Sequence, residues 1–109
     1  MGIENLNSFF HPKNIAVIGA SERKTSVGGL IFSNLNDTFT GQVFPVNEWH
    51  QTIQGKKAYP TITKIPTKVD VAIVATPAHN VPQIIESCGK IGVQGAIIVS
   101  AGFDENDST

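Results

Sequence analysis

The sequence predicts an α/β fold, a doubly wound parallel sheet, and three observations carry that prediction. Residues 14–19, 69–75 and 96–100 are largely apolar on successive rather than alternate positions, the mark of strands covered on both faces. Residues 27–36 and 80–91 instead repeat apolar residues at helical spacing. Strands that alternate with helices along a chain form βαβ units and a parallel sheet.

Residues 4–10 read as a short helical lead-in stopped by Pro12, with Phe9 and Phe10 anchoring it to the core. Residues 14–19 form the first strand. Ser26 is an N-cap residue type, and the helix it starts, 27–36, carries Val27, Leu30, Ile31 and Leu35 on one face. Residues 42–46 read as a second strand. Residues 47–60 form a polar connection that turns near Gly55-Lys56, and 62–65 a single helical turn before Pro66. The buried strand 69–75 ends at Thr76-Pro77. Asn80 with Gln83 three residues on has the pattern of a helix start, and Pro82 falls in the first turn, where a missing N–H costs little. Val81, Ile84, Ile85, Cys88 and Ile91 share the apolar face of that helix, and Gly92 closes it. Residues 96–100 form another buried strand, followed by Ala101-Gly102-Phe103. The remaining residues, 104–109, are polar and lack a helical pattern. A doubly wound sheet normally covers its last strands with a further helix. The expectation is therefore a single domain over residues 1–109, truncated at its C-terminal side.

The length of 109 residues suits one domain. With 40% hydrophobic and 16% charged residues, a packed core is feasible and disorder is disfavoured. A net charge of −1 provides no global basic field, so neither nucleic acid nor an anionic membrane is an expected partner. No run reaches the roughly eighteen apolar residues of a membrane span, and the N-terminus lacks the basic-then-apolar order of a signal peptide. Cys88 is the single cysteine, which excludes an internal disulfide. The expected location is cytoplasmic.

The stretch richest in chemistry is Ile15-Ala16-Val17-Ile18-Gly19-Ala20-Ser21, running on to Ser26-Val27-Gly28. A buried strand that feeds a glycine-hinged loop at a helix N-terminus gathers main-chain N–H groups where a phosphate can sit. Ligands of such sheets bind beyond the carboxyl ends of the strands, an edge that here collects three loops: 19–28, 76–81 and 100–103. Arg23 and Lys24 supply the densest positive charge beside the first loop. Ser21 and Ser26 offer hydroxyls, and Ser26 is equally explained as a cap. Gly28 permits close approach of a ligand, or of the strand, to the helix. The dinucleotide fingerprint G-x-G-x-x-G is absent after Gly19, and Val46-Asn47 stands where an acidic residue would close the second strand, with Glu48 one step late. No G-K-[ST] follows the first strand, which excludes a phosphate-loop NTPase.

Taken together, these residues resemble the coenzyme A-binding domain of the NDP-forming acyl-CoA synthetases, relatives of the succinyl-CoA synthetase alpha subunit. The matching residues are Phe9 to Ser21; Ser26-Val27-Gly28; Gly41 to Asn47; Gly55 with Ala58-Tyr59-Pro60; Asp70 to Pro77 with Val81-Pro82; Cys88-Gly89; and Ser100 to Phe103. The resemblance implies a Rossmann-like domain that holds CoA across the three loops. Gly19, Ala20, Ser21, Arg23, Lys24, Ser26, Val27, Gly28 and Asn47 would take the nucleotide end. Thr76, Pro77, Ala78, Val81, Ser100, Ala101 and Gly102 would line the path of the pantetheine arm. It also implies that the chain is a fragment or homologue of the N-terminal part of a ligase that joins a small acid to CoA at the expense of ATP or GTP. The partners implied are CoA or acyl-CoA, downstream ligase domains or a second subunit, and a homo-oligomer where the last strand stays uncovered. The phosphoryl-carrying histidine of those enzymes lies on a following domain, so this chain alone would bind without turnover. One departure stands out. Such domains commonly place Pro and then Lys or Arg after the Val-Asn pair, and here Glu48-Trp49 stands instead. Glu48 repels phosphate, Trp49 is a stacking surface for adenine or an ordinary surface aromatic, and the phosphate end would rest on Arg23, Lys24 or His50.

Of the three histidines, His11 and His50 read as structural or solvated, and His79, at the mouth of the expected site, is the one candidate ligand contact. Cys88, on an apolar helix face, reads as core rather than nucleophile. No His, Cys and carboxylate cluster has metal-ligand spacing. Three alternatives remain beside the ligase fragment: a CoA-sensing regulatory module of a protein acetyltransferase, an NAD-binding module, and a non-binding remnant that self-associates.

Overall fold

The computed structural model describes residues 11–99. Its elements, in chain order, are β1 (Asn14–Ile18), α1 (Val27–Thr38), β2 (Gln42–Val46), β3 (Thr52–Ile53), β4 (Lys56–Lys57), a 3₁₀ turn (Ile62–Lys64), β5 (Val71–Val74), a second 3₁₀ turn (Ala78–Asn80), α2 (Val81–Lys90) and β6 (Gly95–Ile98). Four strands form one sheet in the order β2-β1-β5-β6, every neighbouring pair parallel. The chain enters at β1, steps outward to β2, then crosses back to β5 on the other side of β1. The strand order therefore reverses between β1 and β5, the switch point at which such sheets open a crevice.

The successive apolar residues of β1 and β5 are explained by two buried faces. Ile15, Val17 and Val71 pack with Val43, with Phe32 of α1, and with Ile53 and Ala58 of the β3–β4 hairpin. Ala16, Ile18, Ala72 and Val74 pack on the opposite face with Ile62, Ile65 and Cys88. Helices thus cover the sheet from both sides, and the Rossmann-like α/β class holds. Among the described residues no helix is long and apolar enough to cross a membrane.

Several local expectations change in three dimensions. The buried stripe of α1 runs through Gly28, Gly29 and Phe32, while Leu30 is 51% exposed. The two glycines let the first turn lie flat against the loop after β1, and that contact rotates the helix so that Phe32, not Leu30, meets the sheet. On α2 the apolar face is narrower than its sequence suggests: Cys88 is buried, but Ile85 and Ile91 are 36% and 37% exposed. Asn80 makes no capping bond, because the preceding 3₁₀ turn runs directly into α2 and Asn80 itself is helical (φ −90°, ψ −12°). The connection 47–60 contains an unforeseen hairpin, β3 paired with β4. Its two-residue loop, Gln54-Gly55, has positive φ at both positions, +49° and +84°, the requirement of a tight turn that matches strand twist. β6 is not buried: Ile97 and Ile98 are 47% and 48% exposed. Among the described residues it pairs only with β5 and nothing packs beyond it. The lead-in 4–10, the anchors Phe9 and Phe10, and the loop 100–103 lie outside the described residues.

At the opposite edge of the sheet from the crevice, the carboxylate of Asp70 accepts hydrogen bonds from the main-chain N–H groups of Lys13 (2.9 Å) and Asn14 (3.0 Å). Asp70 is only 9% exposed. A buried carboxylate needs such donors, and here they tie the entry of β1 to the entry of β5.

Candidate functional site

The loop that leaves β1 is built by glycine. Gly19 has φ +95°, a conformation that L side chains rarely adopt, and its N–H donates to Val46 O (3.1 Å). A Cβ on Gly28 would overlap the carbonyl oxygen of Gly19, and one on Gly29 that of Arg23. The first turn of α1 and the loop 19–23 are therefore in main-chain contact. Side chains complete the fold of the loop. Ser21 Oγ accepts from Arg23 N (3.0 Å), Ser26 Oγ donates to Arg23 O (2.7 Å), and Ser26 Oγ also caps Gly29 N (3.1 Å). From the hairpin, Gln54 Nε2 donates to Ser21 O (2.9 Å) and Gly29 O (3.1 Å). Both serine hydroxyls are thus engaged within the loop. Leu30 N bonds to Ser26 O, which leaves Val27 and Gly28 as the N–H donors of the first turn without an acceptor among the described residues. Such donors, at the positive end of the helix dipole, are suited to an anion.

Beside this loop a cleft of about 420 Å³ opens at the C-terminal ends of β1, β2 and β5, within the range of small-molecule sites. Ile18, Gly19 and Val46 line it where the strands end, and Asn47, Glu48 and Trp49 continue from β2. Thr76 and Pro77 follow β5. One wall is Pro60, Thr61 and Ile62, at the first 3₁₀ turn; another is the end of the second 3₁₀ turn and α2, through Asn80 and then Gln83, Ile84 and Ser87. Those four positions recur three or four residues apart and so share one helix face. Trp49 is 82% exposed at the cleft. Thr76 Oγ1 is buried with no hydrogen-bond partner among the described residues, and a buried hydroxyl without one calls for an explanation.

Asn47 braces the two sides of the crevice. Its Nδ2 donates to Ala20 O (2.9 Å), and its Oδ1 accepts from Trp49 N (2.7 Å) and His50 N (3.1 Å). Both ends of the amide are used internally, so Asn47 positions the crevice more than it offers free polar groups to it. Glu48 is the sole charged residue lining the cleft; no Lys, Arg or His does so among the described residues.

Gly19, Asn47, Thr76 and Pro77 come together in this cleft. Ser21, Arg23, Lys24, Ser26, Val27 and Gly28 stand on the adjoining loop and helix start rather than in its lining. Ala20 is fully buried, and it can present main chain only. Ala78 and His79 are exposed outside the lining, and Val81 packs into the core. Ser100, Ala101 and Gly102 lie outside the described residues. Sequence reasoning missed the wall at Pro60–Ile62 and the α2 face at Gln83, Ile84 and Ser87. Gln83 carried a signal, but it was one shared with a capping residue. Cys88 is buried and unpaired, and burial pushes its thiol pKa up, which suits core packing. Among the described residues no three metal-ligating side chains converge.

The fold agrees with that of known proteins this chain is similar to. The family model described as "CoA binding domain" matches residues 13–107. The chain is 45% identical over 100 residues to acetate–CoA ligase [ADP-forming] I of Archaeoglobus fulgidus, covering 92% of this chain and 14% of that protein. It is 42% identical over 96 residues to 4-hydroxybutyrate–CoA ligase [ADP-forming] of Nitrosopumilus maritimus, covering 88% of this chain and 14% of that one. Among solved structures, dinucleotide forming acetyl-coenzyme A synthetase 1 of Ca. Korarchaeum cryptofilum, in complex with phosphate and ADP, superposes with a TM-score of 0.84 at 39% identity, covering 90% of this chain and 21% of that one. The chain thus spans less than a quarter of the length of each of these three relatives. A glycine-built loop, a crevice at the strand switch and a match over nearly the whole sequence converge on one assignment: the chain belongs to the CoA-binding domain family.

Proposed function

We propose that this chain, as one domain over residues 1–109, binds CoA or acyl-CoA in the cleft at the β1–β5 switch, as the N-terminal CoA-binding part of an ADP-forming acid–CoA ligase. The observation that carries this reading is the juxtaposition of two features. A largely neutral cleft lies beside a helix start whose first N–H groups find no acceptor among the described residues. The pyrophosphate of CoA suits the helix start, with Val27 and Gly28 donating main-chain N–H groups and Arg23 and Lys24 adding charge. The pantetheine arm suits the cleft. Its amide carbonyls would accept from the Thr76 hydroxyl beside Pro77; Ala78, Ser100, Ala101 and Gly102 are the further residues proposed for the arm, with Val81 supporting them from the core. Gly19, Ala20 and Ser21 would present main chain to the ligand, with Ser26 and Asn47 holding the shape.

In this reading CoA is a substrate carried by the domain, and turnover belongs to further ligase domains or a second subunit in the cytoplasm. Two relatives named for different acids, acetate and 4-hydroxybutyrate, each match most of this chain, 92% and 88% of it. That supports a role for this part of the molecule in holding CoA rather than in choosing the acid. Calorimetry on the 109-residue chain tests the proposal, with quenching of Trp49, the single tryptophan, as an independent readout. Saturable binding of CoA, tighter than that of NADH, is the expected result; tighter binding of NADH would overturn it.

A further inference from the structure

We infer that the end of this cleft beside β2 selects an unphosphorylated adenosine ribose, so that 3′-dephospho-CoA is a better ligand than CoA itself. The inference rests on the proposed function and goes further in naming the ligand's charge. Three observations carry it.

First, Glu48 follows the brace residue Asn47 at the end of β2, and both line the cleft. In dinucleotide-binding sheets of this winding, an acidic residue near the end of the second strand accepts a hydrogen bond from the ribose 2′-hydroxyl, and a 2′-phosphorylated ribose takes an arginine nearby instead. Glu48, one step past that place, brings the same negative charge to this end of the cleft. The crevice lies at the matching switch in strand order, β2-β1-β5-β6.

Second, nothing in the lining offsets the carboxylate. The other polar side chains that line the cleft, Asn47, Thr61, Thr76, Asn80, Gln83 and Ser87, are neutral. The residues outside 11–99 contain no Lys, Arg or His at all, while 100–109 contains Asp104, Glu105 and Asp107. A ribose 3′-phosphate would bring a further negative charge toward Glu48 with no counter-charge from this chain in the lining. Third, the N–H donors at the start of α1, Val27 and Gly28, stand outside the lining that includes Glu48. In the proposed pose those donors hold the pyrophosphate, so the 3′-phosphate would have none of them.

At a water-exposed site, unit charges about 4 Å apart interact by about 1 kcal/mol, which corresponds to about fivefold in affinity. Calorimetric titration of the full 109-residue chain with CoA and with 3′-dephospho-CoA, at low and at high salt, reads this directly. The expected result is dephospho-CoA binding about fivefold more tightly than CoA, with the gap narrowing at high salt as screening grows. Glu48→Lys should reverse the preference. Glu48 is exposed, and thermal unfolding of the variant checks that the fold is retained. CoA binding as tightly as dephospho-CoA or tighter in the unsubstituted chain, or a ratio unmoved by Glu48→Lys, would overturn the inference and leave the CoA site standing. Failure of both ligands to bind a folded chain would instead remove the proposed function, and this inference with it.

Discussion

Replacing Gly28 by Ala is the sharpest perturbation of the anion loop. In an exposed helix the change is favourable, because Ala orders at lower entropic cost than Gly, by about 0.5–1 kcal/mol. At Gly28 the added methyl would coincide with the carbonyl oxygen of Gly19. That oxygen is main chain, so no side-chain end can move aside. Gly19 in turn is held by its N–H bond to Val46 O and abuts Ala75. The strain must spread into β1 and β5, and overpacking of this kind costs about 1–3 kcal/mol. Taking the upper value, less the propensity gain, about 2 kcal/mol of stability is lost. For a domain of about 100 residues that is a fall in Tm on the order of 10 °C. Gly89→Ala is the internal control. Gly89 lies in α2 with open space around its Cβ position, and the same substitution there should raise Tm by about 2–8 °C. Differential scanning calorimetry of the two variants measures both signs in one experiment. Equal shifts, or an unchanged Tm for Gly28→Ala, would refute the claim that the helix start and the β1 loop are in main-chain contact.

Three further outcomes follow from the geometry. Asp70→Ala strips the acceptor from the N–H groups of Lys13 and Asn14 and should cost about 1 kcal/mol in denaturant unfolding, since two partly buried donors lose their protein partner; ligand affinity, read at the far edge of the sheet, should change little. Gln54→Ala removes the two bonds from the hairpin to Ser21 O and Gly29 O, with an expected loss of about 1 kcal/mol and a weaker CoA titration, because the loop is no longer held in place. Cys88, whose thiol is pushed up by burial, should resist iodoacetamide at pH 8 until denaturant is added. Its raised pKa in the folded state means that its contribution to stability is intact below the ordinary thiol pKa of about 8.5 and is lost as pH rises beyond it; Cys88→Ala should flatten that alkaline decline.

Much of this molecule is legible in one dimension. The runs at Ile15–Ile18 and Val71–Val74 announce strands buried on two faces, because an alternating pattern would leave one face wet. Gly19 and Gly28 announce a loop where main chain must approach main chain, and the ordered set of loop residues carries the family resemblance. These are local properties, recorded by periodicity and by the few residue types that tolerate a given backbone geometry. The cleft is another matter. Its lining joins Gly19, Asn47, Thr61, Thr76 and Gln83, residues spread over much of the chain. They meet only because β2 and β5 pair on opposite sides of β1. The same long-range contacts turn α1 so that Phe32 replaces Leu30 in the core, leave Asn80 inside a helical run, and leave β6 an exposed edge. Periodicity reports which face of an element is apolar, but the neighbour that the face meets is chosen by pairing between distant segments, and that choice decides where a ligand can sit.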